Sequence, residues 1–142
     1  MSVARLLLID DNISLLRILC RFLKQHSDLT VVDTAQSSSE ALAKAHRVKP
    51  DVILLDLAIK DVSGLDMLPR LRADLPGAHI VVLTLQDAAA YRQAALGLGA
   101  DAFVSKAALS TELLPAICYA VIHVPGPGAR QSQRDNGSAE AD

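Results

Sequence analysis

Tryptophan is absent from this chain and aromatic residues make up only 3% of it, so the exposed rings on which single-stranded nucleic acid stacks are missing. Cysteine is almost as scarce. Cys20 and Cys118 stand alone, in neither a CxxC nor a Cys/His spacing, which leaves a disulfide framework and a structural zinc site unsupported; both thiols are expected to be reduced, buried small hydrophobes. Neither sign of charge dominates: 14 Lys and Arg stand against 16 Asp and Glu, a net charge of -2. No positive field therefore draws the chain onto nucleic acid or anionic lipid, and neither direct nucleic-acid binding nor a membrane partner is expected. Long apolar runs are lacking too. Leu6-Leu7-Leu8-Ile9 and Val52-Ile53-Leu54-Leu55 both stop at an Asp, far short of the roughly 20 residues of a membrane helix. The first five residues open straight onto that first run, without the longer apolar region and small-residue cleavage site of a secretory signal. A soluble, cytoplasmic protein is expected.

Residues 125–142, PGPGARQSQRDNGSAEAD, contain no Val, Ile, Leu, Met or aromatic residue and cannot bury enough surface to offset the entropy of ordering. We read 1–124 as one domain and 125–142 as a disordered polar tail. Within 1–124, short apolar runs alternate with amphipathic stretches. The runs 3–9, 29–32, 52–57, 79–84 and 102–105 are rich in Val, Ile and Leu and mostly continuous, as strands buried on both faces are. Between them, 13–25 carries Leu16, Leu19, Cys20 and Leu23 on one face and a basic stripe of Arg17, Arg21 and Lys24, read as solvated, on the other. Ser37 with Glu40 fits a capping box that opens a helix toward Arg47. Ser63 and Asp87 can cap helices over 65–73 and 88–96, and a last helix spans 111–123, with Pro115 near its first turn. The expected fold is α/β: five βα units in a doubly wound, flavodoxin-like parallel sheet.

Polar residues close the strands. Asp10 and Asp11 follow the first, Asp56 ends the third, Thr84 the fourth, and Lys106 follows the fifth; the carboxyl ends of an open parallel sheet form the crevice where ligands bind. Neighbouring strands lie about 4.8 Å apart, so Asp11 and Asp56 can share one cation only on adjacent strands. Strand order 2-1-3-4-5 satisfies this; the dinucleotide-binding order does not, and its GxGxxG is absent. Three converging carboxylates repel one another, and a hard divalent cation such as Mg2+, which works with carboxylates and a phosphate, resolves the conflict. Lys106 adds a positive charge and Thr84 a hydroxyl, both suited to phosphoryl oxygens. The set reads as a phosphoryl-transfer site with Asp56 as nucleophile.

On Asp10-Asp11, Asp56 in LLDLAIKDVSGLD, Thr84 in VVLTLQD and Lys106 in GADAFVSK, residues 3 to about 122 resemble the receiver domain of two-component response regulators. GLDMLPRLR and AALGLGADAFVSK look most like the NarL/LuxR type, without the helix-turn-helix that normally follows. The resemblance implies that Asp56 accepts phosphate from a histidine kinase or histidine phosphotransfer protein. Asp11, Asp56 and the backbone carbonyl of Ala58 would ligate Mg2+, with Asp10 acting through water. Thr84 and Lys106 would hold the phosphoryl group, and Phe103 would turn inward as Thr84 is drawn to it. Four residues depart from the common pattern: Ile59 and Lys60 after the nucleophile, Leu85, expected to crowd the pocket, and Ala107, where a proline is usual. A cis bond before Ala107 would cost about 2.5–4 kcal/mol, so a trans bond or a reshaped loop is expected.

Two other functions compete. A metal-dependent hydrolase of the haloacid dehalogenase type also uses an Asp nucleophile after a strand, but wants a second Asp two residues on, where Ala58 stands. A degenerate receiver would serve only as a binding module, and a receiver separated from its DNA-binding domain is a further form. His26, His46, His79 and His123 show no ligand spacing and are expected solvated or beside helix caps. Finally, 113–124 reads LLPAICYAVIHV, without one Asp, Glu, Lys or Arg. Leu113, Ile117, Val121 and Val124 can face the sheet, which leaves Cys118 and Ile122 for a second copy or an effector.

Overall fold

A computed structural model describes residues 4–58, 64–85 and 89–123, with only the backbone described at 121–123. Five strands and five helices alternate: β1 (Ala4–Ile9), α1 (Ile13–Lys24), β2 (Leu29–Ala35), α2 (Ser38–Val48), β3 (Val52–Asp56), α3 (Gly64–Asp74), β4 (His79–Thr84), α4 (Ala89–Gly97), β5 (Ala102–Ser105) and α5 (Leu109–His123). All pairings are parallel, in the order β2-β1-β3-β4-β5. The expected doubly wound sheet and its order are both present.

The continuous apolar runs are explained by two cores, one on each face of the sheet. Leu7, Ile9, Ile53, Leu55, Ile80, Val82 and Phe103 point to one face, packed with Leu68 and Leu71 of α3 and Ala95 of α4. Leu6, Leu8, Leu54, Val81 and Val104 point to the other, with Leu16, Leu19 and Leu23 of α1 and Leu113, Ile117 and Ala120 of α5. Alternate residues of each strand thus enter opposite cores, and both must be apolar.

Ser37 caps α2, accepting a hydrogen bond from the Glu40 N–H at 3.2 Å. The Glu40 carboxylate reaches one residue beyond the expected cap, accepting from the Gln36 N–H at 2.7 Å. Strand β2 runs three residues past its apolar run, through Asp33, Thr34 and Ala35. Its polar end is stabilised from α2: Lys44 Nζ lies 3.1 Å from Asp33 Oδ1 and Arg47 donates to Asp33 Oδ2 at 2.8 Å. Burial acts to raise the Asp33 carboxyl, but the Thr34 N–H, Lys44 and Arg47 outweigh it and hold the group below the ordinary carboxylate range. Helix α5 starts at Leu109, two residues early, because a 3-10 turn over Lys106–Ala108 feeds straight into it. Pro115 therefore sits in its second turn rather than near its first.

Two further expectations need correction. His79 is neither solvated nor beside a cap: it is buried at the start of β4, its Nδ1 3.7 Å from Asp101 Oδ2. Cys20 is half-buried and Cys118 exposed, although both are free thiols. The proposed Ser63 and Asp87 caps, Ile59, Lys60, Val124, the tail and the Ile122 and Val121 side chains lie outside the described residues.

Candidate functional site

The site is built at the carboxyl edge of the sheet. Asp10 leaves β1 buried, and its Oδ1 accepts the Asn12 N–H at 2.9 Å; Asn12 Oδ1 in turn caps α1 through the Leu15 N–H at 3.1 Å. Asp56 closes β3, also buried, and its Oδ1 accepts the Ala58 N–H at 3.2 Å, so the chain after the strand folds back over the carboxylate. Because β1 and β3 are adjacent, Asp10, Asp11 and Asp56 each bring one carboxylate oxygen within 4.8 Å of the others. Lys106 arrives from beyond β5 with its Nζ 2.9 Å from Asp10 Oδ2 and 3.1 Å from Asp56 Oδ1. Thr84 is buried at the end of β4, one residue past the Asp56 register partner Leu83 and opposite Ser105 of β5.

Burial first, and the Asp10 carboxylate second, push the Asp56 carboxyl above the ordinary carboxylate range, against the opposing pull of the Ala58 N–H and Lys106. Burial acts to lower the Lys106 ammonium, but its hydrogen bond to Asp10 and the charges of Asp56 and Asp10 outweigh it and raise the group. The ammonium is firmly charged, and Asp56 is the carboxyl whose ionisation depends on its surroundings.

Three hard oxygen donors at this spacing suit Mg2+. Asp10 Oδ2 points the same way: it is buried and already draws a positive charge, the Lys106 ammonium, to 2.9 Å. The donor set fits the cation, and Ala58 stands in the turn beside Asp56, its N–H on the Asp56 carboxylate.

Of the four departures, Leu85 and Ala107 lie among the described residues. No cis peptide bond occurs among the described residues, so Lys106–Ala107 is trans, and the loop is reshaped into the 3-10 turn. Leu85, just past Thr84 at the end of β4, is 77% exposed. Phe103 is already buried in the core, with the Arg92 guanidinium 5.2 Å from its ring centroid.

Sequence reasoning missed Gly64. It opens α3 with its N–H donating to the Leu57 carbonyl at 2.9 Å, and a Cβ there would overlap the Leu57 backbone and lie 2.8 Å from the Asp56 carbonyl oxygen. Only a glycine lets α3 start this close to the nucleophile's strand; the signal available was its place just after the strand-end acid. A buried network at the opposite pole was missed as well. Arg72 of α3 donates to the carbonyls of Ala78 and Gly99 and, at 3.0 Å, to Asp101 Oδ2, which also accepts the Ile80 N–H at 2.8 Å.

A five-stranded doubly wound sheet with acids at the ends of two adjacent central strands and a lysine reaching them from the edge strand defines a flavodoxin-like domain of the receiver class. Residues 6–118 match the response regulator receiver domain family, and the chain belongs to it. The response regulator protein VraR of Staphylococcus aureus is 34% identical over 116 residues, covering 80% of this chain and 54% of VraR. The chain thus spans about half the length of the curated relatives it matches, which are of the NarL/LuxR type. Among solved structures, the response regulator domain of Thermotoga maritima CheB superposes with a TM-score of 0.77 at 28% identity, over 84% of this chain and 96% of that one. A Burkholderia pseudomallei response regulator, solved with a phosphorylated aspartic acid, calcium ion and citrate, superposes with a TM-score of 0.73 at 33% identity, over 80% and 65% of the two chains.

Proposed function

We propose that the chain is a phosphoacceptor switch of a cytoplasmic two-component phosphorelay, taking a phosphoryl group onto Asp56 from a histidine kinase or histidine phosphotransfer protein. The observation that carries this reading is the convergence of Lys106 on two buried carboxylates, 2.9 Å from Asp10 and 3.1 Å from Asp56, with Asp11 beside them. The Burkholderia relative, with its phosphorylated aspartic acid and its divalent ion, supports it.

An Asp56 carboxylate oxygen attacks the phosphorus of a phosphohistidine. The new O–P bond forms as the P–N bond breaks, and the imidazole, protonated on its other nitrogen, leaves neutral with the electron pair. Lys106 gives up its contact with Asp56 and donates to a phosphoryl oxygen, and the Thr84 hydroxyl donates to another. Asp10 and Asp11 keep the pocket acidic, so it holds a dianionic group only with a compensating cation. Asp10, Asp11, Asp56 and the Ala58 carbonyl would hold Mg2+, which supplies charge neutralisation of the phosphoryl oxygens. The chain turns over no separate substrate; its own carboxylate is the acceptor, and the changed contacts of Thr84 and Lys106 are read out by partner proteins. The charge-free face of α5, where Cys118 and Tyr119 are exposed, is the surface we assign to a second copy or an effector.

Incubation with acetyl phosphate or a phosphorylated histidine donor and Mg2+, followed by mass spectrometry, tests the reading. One base-labile phosphoryl group on Asp56, dependent on Mg2+, is expected. Stoichiometric phosphate uptake by Asp56→Asn from a cognate donor refutes the assignment, and a wild-type chain that takes up none from any donor leaves it a binding module.

A further inference from the structure

Lys106 must reach far. In the order β1-β3-β4-β5 its strand is an edge, two strands from Asp56 and three from Asp10, which at about 4.8 Å per strand is roughly 10 and 14 Å across the sheet. A lysine stem and the facing Asp side chains together cover such a span only if the stem leaves the backbone in the right direction, and the backbone at Lys106 belongs to a three-residue 3-10 turn, a geometry with weak hydrogen bonds of its own. The first N–H groups of any helical turn find no acceptor inside it.

Ser105 supplies one. It is the last residue of β5, buried, with extended backbone at φ -74° and ψ 133°, and its Oγ accepts the Ala107 N–H at 3.2 Å. The bond spans Lys106, tying the residue before it to the residue after it. We propose that Ser105 is a positioning residue for Lys106: its hydroxyl closes the 3-10 turn, and the closed turn aims the ammonium at Asp10 and Asp56 instead of solvent. The consequence for phosphoryl transfer rests on the function proposed above; the aiming of Lys106 in the resting protein does not.

Ser105→Val and Ser105→Thr place nearly the same volume at the position and differ in the hydroxyl. In metal-free protein, an amine-acylating reagent reads the exposure of each lysine by peptide mass spectrometry, with Lys44, itself 3.1 Å from Asp33, as the internal control. Ser105→Val is expected to raise Lys106 acylation about five-fold, the factor that loss of an ordinary N-cap hydroxyl represents, while Ser105→Thr stays within about two-fold of wild type. Lys44 should not change. Mg2+ titration by calorimetry gives a second readout: Ser105→Val should tighten binding, because a freed Lys106 competes less for the carboxylates, and should add nothing in a Lys106→Ala background. Unchanged Lys106 acylation in Ser105→Val, an equal rise at Lys44, or Ser105→Thr behaving like Ser105→Val overturns the role. If Ser105→Val does not fold, Ser105→Ala carries the same comparison. No phosphate enters the acylation assay, so a chain that never phosphorylates would refute the function proposed above and leave this inference standing.

Discussion

Replacing Lys106 with Met keeps the stem and removes the charge, leaving Asp10 and Asp56 facing each other with 2% and 3% of their side chains exposed. Removing one partner of a buried ion pair costs about 3–5 kcal/mol when the remaining charge has no way out. Here a carboxyl can escape by taking a proton. Burial and Asp10 already raise Asp56 in the folded protein, and loss of the ammonium raises it further. A carboxyl whose folded value lies above its unfolded one binds more protons folded than unfolded, so stability falls as pH rises from the unfolded towards the folded value. The penalty of Lys106→Met should therefore be smallest at acid pH, where the carboxyl takes up its proton, and grow with rising pH by up to about 1.4 kcal/mol per unit, levelling at about 3–5 kcal/mol. Urea unfolding at pH 5, 6.5 and 8 in chelator, with and without the substitution, measures it. Mg2+ should bind the variant as tightly as wild type or more tightly, and at a hundred times its Kd it restores about 2.7 kcal/mol. Phosphorylation of the variant should no longer change its conformation. A large loss of Mg2+ affinity, or a penalty independent of pH, refutes the reasoning.

Gly64→Ala drives a methyl into the Leu57 backbone and towards the Asp56 carbonyl; the strain should cost about 1–3 kcal/mol and slow phosphorylation, read by urea unfolding and by phosphate uptake, and an unchanged midpoint with unchanged uptake contradicts it. Asp101→Ala leaves Arg72 its Ala78 and Gly99 carbonyls but takes the acceptor from the Ile80 N–H, and should destabilise by about 1–3 kcal/mol without changing Mg2+ affinity, since the network lies at the pole opposite the site; calorimetry beside thermal unfolding separates the two effects. For the α5 face, Ile122→Glu should give a folded monomer by sedimentation where wild type self-associates, and a wild-type chain that stays monomeric at high concentration, phosphorylated or not, argues against a second copy.

Much of this molecule is legible in order along the chain. Residues 6–9 and 52–55 read as strands because a strand covered on both faces needs no polar alternation, and the cap at Ser37 and the stop at Lys49, the one non-glycine residue with positive φ among those described (49°), act over a few residues. The acids and the lysine could be placed at strand ends for the same reason: each polar residue ends an apolar run. Even the strand order followed from charge, since Asp11 and Asp56 meet only if β1 and β3 are neighbours. What the sequence could not carry were pairings between distant segments. Asp33 and Thr34 look like the end of a strand until Lys44 and Arg47 fold back on them. Arg72, His79 and Asp101 are unrelated polar residues along the chain until α3, β4 and the approach to β5 bring them together, with Asp101 Oδ2 accepting from Arg72 and the Ile80 N–H and lying 3.7 Å from His79 Nδ1. Lys106 is assigned to phosphate by its position in the chain, yet in the resting fold it bridges two carboxylates, held by a 3-10 turn that Ser105 closes. Local geometry depends on neighbouring residues and is written in their order, whereas the partner of a buried charge is chosen by which elements pack together, and that is settled only when the chain has folded.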